Sequence, residues 1–152
     1  NIPIFCPAIA DSGIGLSLAW HIQKRKQEKC QSILIDTIQD NLEILELKIK
    51  AKKSGAIHIG GGVPKNFIQQ IAPLAEILNL KTSSHSYGIQ ITTDDPKWGG
   101  LSGSTFSESQ SWGKYADNAR FATVYMDATI GLPLLFTACL EMKKIWYPRK
   151  AP

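Results

Sequence analysis

The chain has 152 residues, with 17 Lys+Arg against 13 Asp+Glu for a formal net charge of +4, and at 43% hydrophobic residues it can bury the core of one domain. A charged fraction of 20% excludes both a disordered chain and a dedicated polyelectrolyte binder. No apolar run reaches the roughly 18–20 residues that would span a bilayer, so a soluble protein is expected.

In chain order, the opening Asn1-Ile2-Pro3-Ile4-Phe5 has no basic segment of a signal peptide, and a first residue other than Met points to a start inside a longer polypeptide. Ile2 to Phe5 reads as a strand and Gly15 to Glu28 as a helix. From Asp36 to Lys53, the residues Ile38, Leu42, Leu45 and Ile49 stack on one helical face, with Asp36 as N-cap and Ser54-Gly55 as the stop. Ala56 to Ile59 is β-favouring and runs into Gly60-Gly61-Gly62. The next helix is expected from Pro64 to Leu78, with Phe67, Ile71, Leu74 and Leu78 on one stripe. Tyr87 to Thr92 reads as a strand, Thr93 to Ser107 as a long glycine-rich loop, Ser107 to Lys114 as a short helix and Phe121 to Met126 as a strand. A last helix begins near Thr129, requires Pro133 in its first turn, and leads to a basic, aromatic tail at Lys143 to Lys150. This alternation implies an α/β fold in residues 1–152, a single domain built on a mostly parallel, Rossmann-like sheet with helices on both faces.

Cys6, Cys30 and Cys139 are odd in number and form no C-x-x-C pair, which argues against a disulfide framework and fits a reducing, cytoplasmic compartment. His21, His58 and His85 have no ligand-like spacing, and no metal site is expected. The run from His21 to Lys29 reads as a solvated helix end rather than a nucleic-acid contact, since it holds four basic residues, an acidic one and no interleaved aromatics.

Three places could carry chemistry. The Gly60-Gly61-Gly62 turn, between a strand and a helix, is either a phosphate cradle or a tight turn needing positive φ. After the long loop, Glu108 and Trp112 lie one helical turn apart and could frame a pocket, the carboxylate facing an amine and the indole facing an alkyl chain or cation. Lys114 is far around an ideal helix from Glu108, so the two meet only if the helix ends near Gly113; buried beside Trp112 it would be an imine-forming nucleophile, and otherwise a solvated lysine. Asp127-Ala128 closes a strand at the expected ligand crevice, where Asp127 either contacts a ribose or caps the next helix. Asp11 is either a turn former or a cofactor contact.

Cys6-Pro7-Ala8, Gly60-Gly61-Gly62-Val63-Pro64-Lys65, Gly99-Gly100-Leu101-Ser102-Gly103, Ser111-Trp112-Gly113-Lys114 and Tyr125-Met126-Asp127-Ala128 occur in one order over nearly the whole chain. Together they resemble the deoxyhypusine synthase family, especially its bacterial deoxyhypusine synthase-like branch. The resemblance implies NAD-dependent transfer of the aminobutyl group of spermidine through a lysine imine to an acceptor amine. It assigns Lys114 the imine, makes Glu108 and Trp112 polyamine-binding, and makes Asp11, Gly61, Thr93, Asp127 and Ala128 NAD contacts. Asn66 and Ser102 fall on the substrate side, Asn66 standing where a histidine is expected.

The pattern departs from the eukaryotic synthases at Leu16 and Leu101, each in place of a carboxylate. A site for a polycation with two fewer carboxylates desolvates each ammonium with fewer partners, which favours a changed donor or acceptor, for example a free diamine. The resemblance covers only the carboxyl-terminal half of the family's longer chains. It implies a homotetramer with active sites at subunit interfaces, so that the isolated half exposes apolar surface. The competing expectation is a non-catalytic or incomplete α/β domain that binds nucleotide or partner subunits.

Overall fold

The computed structural model describes residues 2–146. Three parallel strands, β1 (Gly55–Ile59), β2 (His85–Thr92) and β3 (Tyr115–Tyr125), form one sheet in the order β1-β2-β3. Around it lie α1 (Gly13–Gln27), α2 (Gln39–Lys50), α3 (Val63–Gln69), α4 (Ile71–Ile77), α5 (Gly100–Gly103), α6 (Phe106–Ser111), α7 (Ala128–Glu141) and α8 (Lys143–Trp146). The expected parallel α/β architecture is therefore observed, with helices on both faces. No helix among the described residues is long and apolar enough to cross a membrane.

Local chemistry explains where the elements begin and break. Asp36 precedes α2 and its carboxylate accepts from the backbone N–H of Ile38 and Gln39, each at 3.0 Å. The single helix expected from Pro64 to Leu78 is two helices meeting at Gln70. Pro73 has no N–H to return to Gln69, so the ladder is interrupted there. Pro133 lies inside α7 rather than in its first turn, where it forgoes the bond to Thr129. Ile2 to Phe5 is not a strand: no neighbour offers these residues a ladder, and Ile2 and Ile4 are exposed. Of the basic tail, residues 147–150 lie outside the described residues.

β3 begins six residues earlier than its apolar run suggests. Its pairing with β2 shifts between His85↔Tyr115 and Tyr87↔Arg120, so that two steps along β2 span five along β3. The Gln110 amide ties this bulge to α6 by donating to the carbonyls of Ala116 at 2.9 Å and Asp117 at 3.3 Å.

The two faces of the sheet are finished differently. One presents Ala56, His58, Gly88 and Gln90, and the cluster of Ala56, Phe106 and Tyr115 is buried there with Ile68 of α3 against it. Gly88 permits that packing, because a Cβ at this position would stand 2.6 Å from the Phe106 ring and 2.9 Å from that of Tyr115. A second cluster, Leu45, Ile71 and Ala75, joins α2 to α4. The opposite face meets α7, where Gly131 approaches Ile91, yet it leaves Ile57 61% and Tyr87 51% exposed. On α7 itself, Ile130, Leu134, Phe136 and Leu140 are exposed.

Candidate active site

Glu108, Trp112 and Lys114 reach one cavity because α6 is short and stops abruptly. Thr105 caps its start by accepting from the Glu108 N–H at 3.1 Å, and Phe106 anchors it in the space above Gly88. The helix ends at Ser111, and Gly113 turns the chain with φ +67. This is the termination that Glu108 and Lys114 need in order to meet. The Lys114 backbone is then fixed from two sides: its N–H donates to Ser109 at 3.1 Å and its carbonyl accepts from the His85 N–H at 3.0 Å. From there its ammonium lies 5.9 Å from the centroid of the Trp112 ring, within cation–π range.

The cavity measures about 170 Å³ and is lined by Glu108, Trp112 and Lys114 together with Lys65, Asn66, Gln69, Leu101, Ser104 and Ser109. Its floor is a buried hydrogen-bond hub. Lys65 is only 3% exposed, and its ammonium donates to Gln90 Oε1 at 3.0 Å and to the Ser104 carbonyl at 2.7 Å. The Gln90 amide nitrogen donates in turn to the carbonyls of Gly60 at 3.0 Å and Ser102 at 2.8 Å. One lysine and one glutamine thus tie α3, β2, the glycine turn and the loop into a unit. Burial lowers the Lys65 pKa, with the Glu108 carboxylate opposing and the Lys114 ammonium reinforcing the shift. Both charges therefore act on Lys65 across the cavity.

Behind this floor the Tyr115 hydroxyl and His58 Nε2 share a hydrogen bond at 3.0 Å. Burial pushes the phenol up to about 12. Burial and the nearby Lys65 charge bring the His58 imidazole down to about 4.

The remaining sequence-predicted residues are spread along the carboxyl ends of the strands and beyond. Gly61 follows β1, and a Cβ there would stand 2.4 Å from Ser102 Cα. The middle glycine is accordingly needed for contact between the turn and the loop, and Ser102 is the residue it meets rather than part of the cavity lining. Thr93 is exposed just after β2, and Asp127 is exposed just after β3. Asp127 caps α7: its Oδ1 accepts from the Thr129 N–H at 2.8 Å and from the Thr129 hydroxyl at 2.6 Å, which holds its carboxyl below the usual range. Ala128 is the first residue of α7. Asp11 is exposed in the turn before α1, and Leu16 is exposed on α1. Of the two leucines that replace carboxylates, only Leu101 lines the cavity.

The family model for deoxyhypusine synthase matches residues 1–139. The chain belongs to the deoxyhypusine synthase family. Among its relatives, a "Probable deoxyhypusine synthase 2" of Methanosarcina acetivorans is 48% identical over 141 residues, 93% of this chain and 39% of the relative. Another protein so described, from Archaeoglobus fulgidus, is 46% identical over 148 residues, 97% of this chain and 47% of the relative. A "Deoxyhypusine synthase-like protein" of Coxiella burnetii is 45% identical over 135 residues, 89% of this chain and 37% of the relative. The chain spans less than half the length of these relatives.

For a member of the deoxyhypusine synthase family, the sequence reading missed the two residues that hold the cavity together. Lys65 was visible at the end of the Gly60 to Lys65 motif, but a lysine near a helix start carries no mark of burial. Gln90, within an apolar strand, was the better signal, since an amide in a buried strand must find partners for both its donor and its acceptor.

Proposed function

We propose that this chain is the catalytic portion of an enzyme that transfers an aminobutyl group from spermidine or a related polyamine to an acceptor amine, with NAD as cofactor and Lys114 as the imine-forming carrier. The observation that carries this reading is the convergence of Lys114, Glu108 and Trp112 on one cavity after an interrupted helix. Glu108 pairs with a substrate ammonium, the Trp112 ring covers its alkyl chain, and Lys114 attacks the oxidised carbon, whose bond to the donor's remaining portion breaks as that portion leaves as a free amine. Asn66 lines the cavity as a neutral polar contact, and Ser102 fixes the loop above it.

The residues available for NAD fit a dinucleotide in their order. Gly61, Thr93 and Asp127-Ala128 follow the carboxyl ends of three adjacent parallel strands, the usual ligand edge of an open α/β sheet. Asp11 would join them from the turn before α1. When bound there, NAD supplies the oxidant for the amine and later the reductant for the imine. Leu101 in the lining, in place of a carboxylate, supports a changed donor or acceptor, for example a free diamine as acceptor. Glu108 is the one carboxylate among the lining residues, against Lys65 and Lys114.

The exposed apolar face of the sheet and of α7 supports assembly into a homo-oligomer, a tetramer by family resemblance. The same exposure, together with the chain's short span of its relatives, favours the second reading: a non-catalytic α/β domain that binds nucleotide or partner subunits. Borohydride trapping of the full-length protein with NAD and spermidine, followed by peptide mapping, separates the two. An adduct on Lys114 that is absent from Lys114→Ala supports transfer; no adduct, or equal labelling of the variant, overturns it.

A further inference from the structure

A second pocket, of about 210 Å³, opens between α2, α4 and the starts of β1 and β2. Its walls are apolar, formed by Ile44, Leu47, Ala51, Ile68 and Ile71, and its polar residues are Lys48, Ser54 and His85. Lys48 is 8% exposed and His85 6%. The Lys48 ammonium donates to the Ser54 hydroxyl and lies 3.2 Å from His85 Nδ1, and Ser54 Oγ is 3.0 Å from the same ring nitrogen. The ion pairs among the described residues, Lys50–Glu46 and Lys97–Asp95, leave no carboxylate on Lys48. Behind the cluster, the His85 ring rests on Tyr115, with its centroid 5.3 Å away, and His58 is the next titratable group beyond it.

A buried ammonium without a counter-ion is unfavourable, and the protein relieves it by releasing the proton. Burial brings Lys48 down to about 8. Burial, then the Lys48 charge and His58, brings His85 down to about 4. A useful fraction of Lys48 is therefore a free amine near neutral pH. It faces a pocket whose apolar walls suit a small apolar electrophile.

We propose that Lys48 is a carbamylation site, where carbon dioxide entering the apolar pocket is captured reversibly on Nζ beside Ser54 and His85. The amine lone pair forms the N–C bond as one C=O π pair moves onto oxygen, and the nitrogen releases its proton to solvent at the pocket mouth, leaving the His85 imidazole neutral. The amine and carbon dioxide become a carbamate and a released proton, with no change of oxidation state. The Ser54 hydroxyl donates to the new anion, and His85 Nδ1 is a second donor in the tautomer that carries its proton there.

The test uses the intact protein equilibrated with ¹³C-bicarbonate near neutral pH, treatment with triethyloxonium to lock carbamates as ethyl esters, and peptide mass spectrometry. Lys50, Lys52 and Lys53 serve as internal exposed controls in the same stretch of chain. The expected result is severalfold greater ¹³C labelling at Lys48 than at any of the three, reduced in Ser54→Ala and absent at position 48 in Lys48→Arg. Labelling of Lys48 no greater than that of its neighbours overturns the proposal, and this reading of the unaltered protein stands whether or not a variant folds. Because the adduct is mapped without polyamine or NAD, its outcome is independent of the trapping experiment at Lys114.

Discussion

Lys65 and Lys48 are both buried ammonium groups with no carboxylate in contact, and their surroundings differ in one respect. Lys65 is held by a side-chain amide oxygen and a backbone carbonyl, acceptors that cannot themselves take its proton, with the Glu108 charge across the cavity. Lys48 is held by a hydroxyl and an imidazole, in a pocket otherwise apolar. The first arrangement keeps a cation in place and uses it as a structural tie. The second leaves a basic amine beside a neutral imidazole and a hydroxyl. The partners, more than the depth of burial, decide whether a buried lysine is a brace or a reactive group.

Five measurements sharpen that contrast, the largest effect first. Lys114→Ala removes the proposed carrier without touching either buried lysine, so the borohydride-trapped adduct is expected to vanish while the unfolding transition stays close to that of the parent. Gln90→Leu attacks the brace: it strands the Lys65 ammonium and the carbonyls of Gly60 and Ser102. A loss of about 3–5 kcal/mol in denaturant unfolding is expected, as for other buried charges deprived of a partner, with faster proteolysis around 99–104. A loss below about 1 kcal/mol would mean that the hub is not what holds the loop.

Acid titration probes the imidazoles between and behind the two lysines. His58 and His85 stay neutral in the fold down to about pH 4, whereas the unfolded chain takes up their protons below about pH 6.5. Their contribution is complete above that upper limit and is lost as the pH falls toward the lower one. Each adds a slope of up to about 1.4 kcal/mol per pH unit. Urea melts across this window should lose stability steadily toward acid, and His58→Gln should flatten the slope. Gly61→Ala forces a methyl against Ser102 Cα, with an expected cost of roughly 1–3 kcal/mol in a thermal melt. The smallest effect belongs to the reactive lysine: Lys48→Met removes an unpaired buried charge while filling much the same volume, so the melting temperature at neutral pH should rise slightly.

The sequence carried the order of elements well, because the helical period of α2 and the alternation of β1 are legible in it, but of the expected α2 stripe Leu45 alone is buried while Ile38, Leu42 and Ile49 are exposed. It was less informative where backbone geometry overrode composition. Tyr115 to Arg120 looks too polar for a strand, yet it pairs through a bulge that Gln110 holds from outside the ladder. The apolar stripe through Phe67, Ile71 and Leu74 hides a break that depends on a single missing N–H at Pro73. Around the cavity, Glu108, Trp112 and Lys114 were legible from spacing and family resemblance, since only the stop at Gly113 had to be supplied by the fold. Lys65, Gln90 and the Lys48 cluster were not, because each depends on contacts between residues far apart in the chain, such as Lys65 with Gln90 or Lys48 with His85. Composition could not reveal that a lysine near one helix start is sealed inside while another lies open to solvent.

The bare backbone at Gly88 has a consequence beyond packing. Phe106 occupies the space that a side chain at 88 would fill, and Phe106 begins the helix that carries Glu108. The position of the carboxylate is therefore written partly in an atom that strand β2 lacks. Positions 88 and 106 should be inherited as a couple: a lineage that gains a methyl at the first can keep its cavity only by trimming the ring at the second, and a transplanted loop that ignores the strand beneath it will set its acid in the wrong place.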